Sequence, residues 1–328
     1  MVGAMPQFRY ERASIVVYDP VAQHRNATRM ALYSLGFGKV SSSDTLDALN
    51  RAIKLAPPDL VFCEASGVGS ELCEMIQTVR LGTAGHANPF LIVMVTAWEK
   101  SHELAQMVVN SGADDLVLRP FSTQILKTRI DSHIERRKGF VITHDYVGPD
   151  RRKDSSRPTN VELFRPPNSL KMKTMDGLTM PEANFRLQQE LRRAKGTLAS
   201  ERLTREVFHI CVLWRILQDY DDQDVAHHRA NLSRLALAVA RRCRATELEP
   251  ALQWCDSIVA AVEGLHFGVD RSASLHLLGQ AALTLNQIVC PEQPRSALLQ
   301  SIDAAAATMR ARTTGNPEVE SAKVAVMG

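Results

Sequence analysis

Five short apolar runs punctuate the first 140 residues, and each precedes a stretch whose apolar positions recur at helical spacing. Ile15-Val16-Val17-Tyr18 is a β-branched run. Residues 21–35 then place Ala27, Met30, Ala31, Ser34 and Leu35 on one helical side, and Gly36 ends that helix. A weak strand near Val40 leads into a helix over 44–55, which Pro57-Pro58 breaks. Leu60-Val61-Phe62-Cys63 precedes a helix over 71–81. Phe90-Leu91-Ile92-Val93-Met94-Val95 precedes one over 100–111, which Gly112 ends. Leu116-Val117-Leu118 precedes a fifth helix over 123–137. Continuous apolar runs, rather than alternating ones, belong to strands covered on both faces. The pattern predicts an α/β domain over 13–137, a five-stranded, doubly wound parallel sheet behind an N-terminal extension, 1–12.

Beyond residue 137 the period disappears. Over 136–179 there are ten basic residues against five acidic ones, with prolines at 149, 158, 166 and 167. This predicts an extended basic linker over 138–180. From Pro181 onward the pattern is helical and strand signals are absent. Residues 185–205, with Leu187, Leu191, Leu198 and Leu203, suggest a stalk that could pair two chains. Further helices are expected over 207–217, 226–242, 248–262, 273–289 and 297–311. Short connections predict an all-α bundle over 181–312 with a frayed tail, 313–328.

Composition narrows the classes. In 328 residues, 45% are hydrophobic and 23% charged, the balance of a globular protein. No apolar run is long enough to span a bilayer, and residues 1–12 lack the shape of a secretory signal, so a cytoplasmic protein is expected. The six cysteines form no C-x-x-C pair and read as reduced core residues. A net charge of +3 does not by itself favour nucleic acid. The histidines of the helical half, among them His209, His228 and His276, show neither zinc spacing nor a phosphotransfer signature. A helix-turn-helix and the signatures of cyclic-dinucleotide outputs are missing too, so nucleic acid is a disfavoured partner.

Open α/β sheets place their chemistry at the carboxyl ends of the strands. Those ends supply Asp19, Glu64, Thr96 and Arg119. Two carboxylates, a hydroxyl and a guanidinium could hold a hard cation, or could satisfy one another. Here the residues resemble a response-regulator receiver domain of the chemotaxis-regulator type. The stretches that carry the resemblance are Val17-Tyr18-Asp19-Pro20, Leu35-Gly36-Phe37, Pro58-Asp59-Leu60-Val61-Phe62-Cys63-Glu64, Val95-Thr96-Ala97, Gly112-Ala113-Asp114-Asp115 and Arg119-Pro120-Phe121. The resemblance covers about two fifths of the chain. It implies a phosphoacceptor aspartate on the third strand, two acids binding magnesium after the first, and a hydroxyl and a lysine on the phosphoryl oxygens. It also implies a cis peptide before Pro120.

The departures from that family fall on the chemistry. Glu64 stands at the phosphoacceptor, Tyr18 at one of the two acids and Arg119 at the lysine. The extra methylene of Glu64 moves its carboxylate by roughly 1.5 Å, and losing an acid at position 18 leaves Asp19 as the metal ligand, if any, so magnesium binding is doubtful and no other cofactor is implied. Arginine presents a planar fork that pairs bidentately with a carboxylate. The expectation is therefore a pseudo-receiver, not an enzyme. It would have a degenerate phosphoryl pocket of Asp19, Glu64, Thr96, Arg119 and Pro120, and would act by protein–protein interaction in bacterial two-component signalling. The family's output face would carry Leu104, Met107, Val108, Leu116 and Leu126. Partners would be signalling proteins, a histidine kinase or its pathway, with a homodimer through the helical half. The competing expectations are a genuine magnesium-dependent phosphoacceptor and a nucleic-acid-binding regulator.

Overall fold

The computed structural model describes residues 8–152, 163–175, 177–219, 225–245, 248–266 and 270–313. Its first half alternates β1 (Ser14–Tyr18), α1 (Ala22–Ser34), β2 (Lys39–Ser43), α2 (Leu46–Leu55), β3 (Leu60–Glu64), α3 (Gly69–Arg80), β4 (Ile92–Ala97), α4 (His102–Asn110), β5 (Asp115–Leu118) and α5 (Thr123–Arg136). All five strands are parallel, in the order β2-β1-β3-β4-β5. The three central strands carry the apolar runs. The weak strand near Val40 is an edge strand, which explains its polar composition.

Strand periodicity of two divides the core into layers. Ile15, Val17, Phe62 and Met94 pack with Leu32 of α1 and with Leu126, Ile130 and Ile134 of α5. Val16, Tyr18, Cys63 and Val95 pack with Leu49 of α2, Leu72 and Ile76 of α3 and Val108 of α4. Thr45, Ser101 and Ser122 cap α2, α4 and α5 by accepting from the backbone N–H three residues on.

The segment expected as an extended basic linker is folded wherever it is described. Phe140–Ile142 (β6) and Val147–Pro149 (β7) form an antiparallel hairpin, Phe164 bridges to Phe140, and Ser169–Thr174 forms α6. Phe140, Ile142 and Val147 join Phe90, Ala194 and Leu198 in an additional apolar cluster, and Leu170 enters the α1/α5 layer. Several basic side chains here are engaged within the fold. Arg137 donates to Asp114 and to the carbonyls of Phe90 and Pro167, Arg151 donates to the Ala113 carbonyl, and Lys173 lies 2.8 Å from the buried Asp59 carboxylate. Gly112 (φ +83°) lets the hairpin approach, since a Cβ there would collide with the Val147 carbonyl oxygen. The extension also packs, for Tyr10 is buried and donates to Asp131, whereas residues 1–7 and 153–162 lie outside the described residues.

The helical half comprises α7 (Met180–Leu217), α8 (Val225–Ala245), α9 (Glu249–His266), α10 (Arg271–Val289) and α11 (Arg295–Thr313), with α9 packed on α8 and α10. The two helices expected over 185–205 and 207–217 are one continuous helix, because nothing between them breaks the chain. The chain divides into two compact units, residues 1–198 and 199–328, a boundary later than the one the composition suggested. In the second unit, Val207, Ile210, Ala236, Val239, Ile258 and Leu285 form the core, and Glu206 accepts from both Arg202 and Arg242. Gly279 sits against the Trp214 ring, where a Cβ would lie 2.5 Å from ring carbon. Leu187, Leu198 and Leu203, which suggested a two-chain stalk, are buried within the single chain, so they do not offer a free seam for a homodimer. The tail expected over 313–328 falls, past Thr313, outside the described residues.

Candidate functional site: a self-filled pocket at the carboxyl edge of the sheet

β1 ends immediately before Asp19, β3 ends on Glu64, β4 carries Thr96 and β5 is followed by Arg119. The β3–β4 register sets Glu64 opposite Thr96, and the Arg119 N–H donates to the Ala97 carbonyl at 2.7 Å, so all four side chains meet at one edge. The Arg119–Pro120 peptide is cis.

Glu64 is buried and both its oxygens are occupied. Its Oε2 accepts from Arg119 Nε at 2.8 Å and from the Thr96 hydroxyl at 2.7 Å. Its Oε1 accepts from the Ser66 hydroxyl at 2.6 Å and the Ser66 N–H at 3.1 Å. The predicted Glu64–Arg119 pair therefore forms, but through one nitrogen rather than bidentately. The other arm of the fork, Nη2, reaches Thr28 Oγ1 at 3.0 Å and Asp19 Oδ2 at 3.4 Å. The reason is competition, since Thr96 and Ser66 take the remaining Glu64 lone pairs. Arg119 also lies 4.8 Å from the Phe121 ring centroid and 5.8 Å from that of Trp98, which shield the guanidinium from water.

Thr28 and Ser66 escaped the sequence reading. Thr28 occupies a buried position one turn before Leu32 in α1, where its polarity was the available signal. Ser66 is a loop serine two residues past β3, and nothing in the sequence distinguishes it.

Asp19 is fully buried. Desolvation pushes its carboxyl above the usual aspartate value of 3.8, against the lowering effects of the Val21 N–H and the Arg119 guanidinium. The folded carboxyl thus holds its proton more tightly than the unfolded one. Its contribution to stability is fully present below about pH 3.8 and is lost as pH rises through the raised value. An Asp19→Asn chain, which keeps an acceptor for Val21, is expected to gain on the native chain in urea midpoint as pH rises from about 4 to about 7.

A divalent cation does not fit these donors. Asp19 Oδ1 accepts from the Val21 N–H at 2.9 Å, its Oδ2 faces a guanidinium, and both Glu64 oxygens are engaged. Tyr18, at the place of the family's second acid, belongs to the apolar layer beneath α2 and α3. Among the described residues no group of three or more His, Cys, Asp or Glu side chains is placed to hold a metal.

The residues expected on the output face differ in burial. Val108 and Leu126 are core residues, 1% and 0% exposed, because they close the two opposite layers of the sheet. Leu104, Met107 and Leu116 are half-buried against the same core. The apolar side chains that do reach the surface of β5 and α5 are Leu118 and Ile125.

No protein-family model and no curated protein matches this chain. Among solved structures, it is similar to a signal receiver domain of a two-component histidine kinase from Clostridium thermocellum, at 18% identity and a TM-score of 0.34 over 38% of this chain and 98% of that one. The chemotaxis protein CheY4 of Vibrio cholerae matches at 18% identity and a TM-score of 0.33, over 36% and 96% of the two chains. The response regulator DrrB of Thermotoga maritima matches at 22% identity and a TM-score of 0.33, over 55% and 73%. The α/β unit is a five-stranded parallel sheet with flanking helices in the flavodoxin-like order 2-1-3-4-5, an architecture like that of a receiver domain. The receiver-like part is N-terminal, and the helical half is unmatched. Among the described residues, no helix is long and apolar enough to cross a membrane.

Proposed function

We propose that the receiver-like unit is a pseudo-receiver, a cytoplasmic two-component signalling module that binds protein partners without accepting a phosphoryl group. The observation that carries this reading is the saturation of Glu64. A carboxylate nucleophile needs a lone pair in line with the incoming phosphorus. Here Arg119 and Thr96 hold one oxygen and Ser66 holds the other. The groups that would stabilise a transferred phosphoryl are spent on the protein's own carboxylate. Glu64 supplies one fixed negative charge where phosphorylation would add nearly two. The pocket then has one state, and the unit presents a constant surface to its partners. The basic stretch after α5 gives little support to a nucleic-acid reading, since Arg137, Arg151, Arg152 and Lys173 are engaged within the fold.

The test is incubation of the full chain with radiolabelled acetyl phosphate and magnesium. No label is expected on the native chain under conditions that label a competent receiver run in parallel. Label that appears on the native chain and disappears in Glu64→Ala would overturn the reading.

A further inference from the structure

We propose that the α/β unit carries a second site, a cavity for an organic phosphate of nucleotide size. The cavity, of about 980 Å3, opens between the end of α5, residues 163–168, α6 and the part of α7 before residue 198. Its size falls within the range of small-molecule sites, far beyond what a lone inorganic ion needs. It shares no residue with the pocket around Glu64.

Four basic side chains line it against two acidic ones. Arg137 is already spent, on Asp114 and on backbone carbonyls. The side chain of Asn168 is spent too, capping α6 through its oxygen and donating to the His133 carbonyl. Arg165, Lys171 and Arg193 remain, and none of the three has a side-chain partner among the described residues. The contrast within α6 is informative. Lys173 is drawn inward to the buried Asp59, whereas Lys171, two residues earlier, faces the cavity. Of the acids, Glu135 is accompanied by Arg136 at 3.8 Å, which leaves Glu190 as the opposing charge without a side-chain partner among the described residues.

Two guanidinium forks and an ammonium, none of them neutralised, suit phosphate oxygens. The apolar part of the lining is Leu163, Phe164, Pro166 and Met172. A ligand that satisfies both kinds of lining has an anionic group joined to a flat or apolar body.

The experiment is calorimetric titration of the full chain with ADP, with pyrophosphate as a probe of the charged lining alone and adenosine as a probe of the apolar lining alone. Saturable ADP binding is expected, tighter than either fragment. It should weaken by about tenfold or more in Lys171→Gln/Arg193→Ala, which removes two charge-assisted donors. It should be unchanged in Arg192→Ala, an exposed neighbour that does not line the cavity. Arg193 is itself exposed, and circular dichroism verifies that the variants fold. The proposal is overturned by absence of saturable ADP binding, by equal affinity for pyrophosphate and ADP, or by an affinity the double variant leaves unaltered.

Discussion

An Asp114→Ala chain is expected to be less stable than the native one by about 3–5 kcal/mol, the cost of leaving buried charges without their counter-ion. Asp114 Oδ2 accepts from Arg80 Nη2 at 2.6 Å and from the Val93 N–H at 2.9 Å, and its Oδ1 accepts from Arg137 Nε at 3.0 Å. Arg80 is 0% exposed, and burial pulls its guanidinium down to about 10, which leaves it charged at neutral pH. Burial alone would raise the Asp114 carboxyl, but Arg137 and Arg80 outweigh it and hold the group below the usual aspartate value. A depressed folded value means stability that is present above the unfolded value and is lost as pH falls through the folded one. Urea midpoints should therefore show a deficit at pH 7 that narrows in strong acid. Asp150→Ala, which removes the partner of a partly exposed arginine, should change stability by no more than about 1 kcal/mol and serves as the control. Equal losses in the two variants would contradict this account.

Arg119→Met should carry a comparable penalty, again about 3–5 kcal/mol, which also shrinks on acidification but does so nearer neutrality than the Asp114→Ala deficit. Methionine fills much of the same volume but leaves Asp19 and Glu64 facing each other without a cation. Arg119 is one of the influences that lower the Asp19 carboxyl, so its removal leaves desolvation less opposed. The folded variant would bind its proton more tightly than the unfolded chain, and its stability would be regained as pH falls from 7 towards 5. Arg119→Lys keeps a charge but has no fork to span Glu64, Thr28 and Asp19 at once, so it should lie between the two. Chemical denaturation across that pH range reads both effects. A variant whose stability deficit does not change with pH would mean that Arg119 matters for packing alone.

The central sheet was legible because burial on both faces writes itself into sequence as unbroken apolar runs, and β1, β3 and β4 occupy the middle positions. The pocket acids and the arginine were legible for a related reason, since strand ends locate them without any knowledge of contacts. Thr28 was not, because a single hydroxyl on a helix reads as tolerated polarity until its partner is placed. The segment after Arg137 was misread for a physical cause. Its strands are three residues each, too short to show a period, and their apolar partners Phe90, Ala194 and Leu198 come from distant parts of the chain. Asp114 stood inside a recognised stretch, Gly112-Ala113-Asp114-Asp115, yet its role depends on two arginines 34 and 23 residues away.

The docked hairpin decides where this protein can be cut and spliced. A chimera that grafted the sheet onto a new effector at the end of α5 would uncover Phe90, strand Asp114 with one of its two guanidiniums and discard the lysine that neutralises Asp59. Portability therefore begins no earlier than α6, and the receiver-like half is inherited together with its collar or not at all.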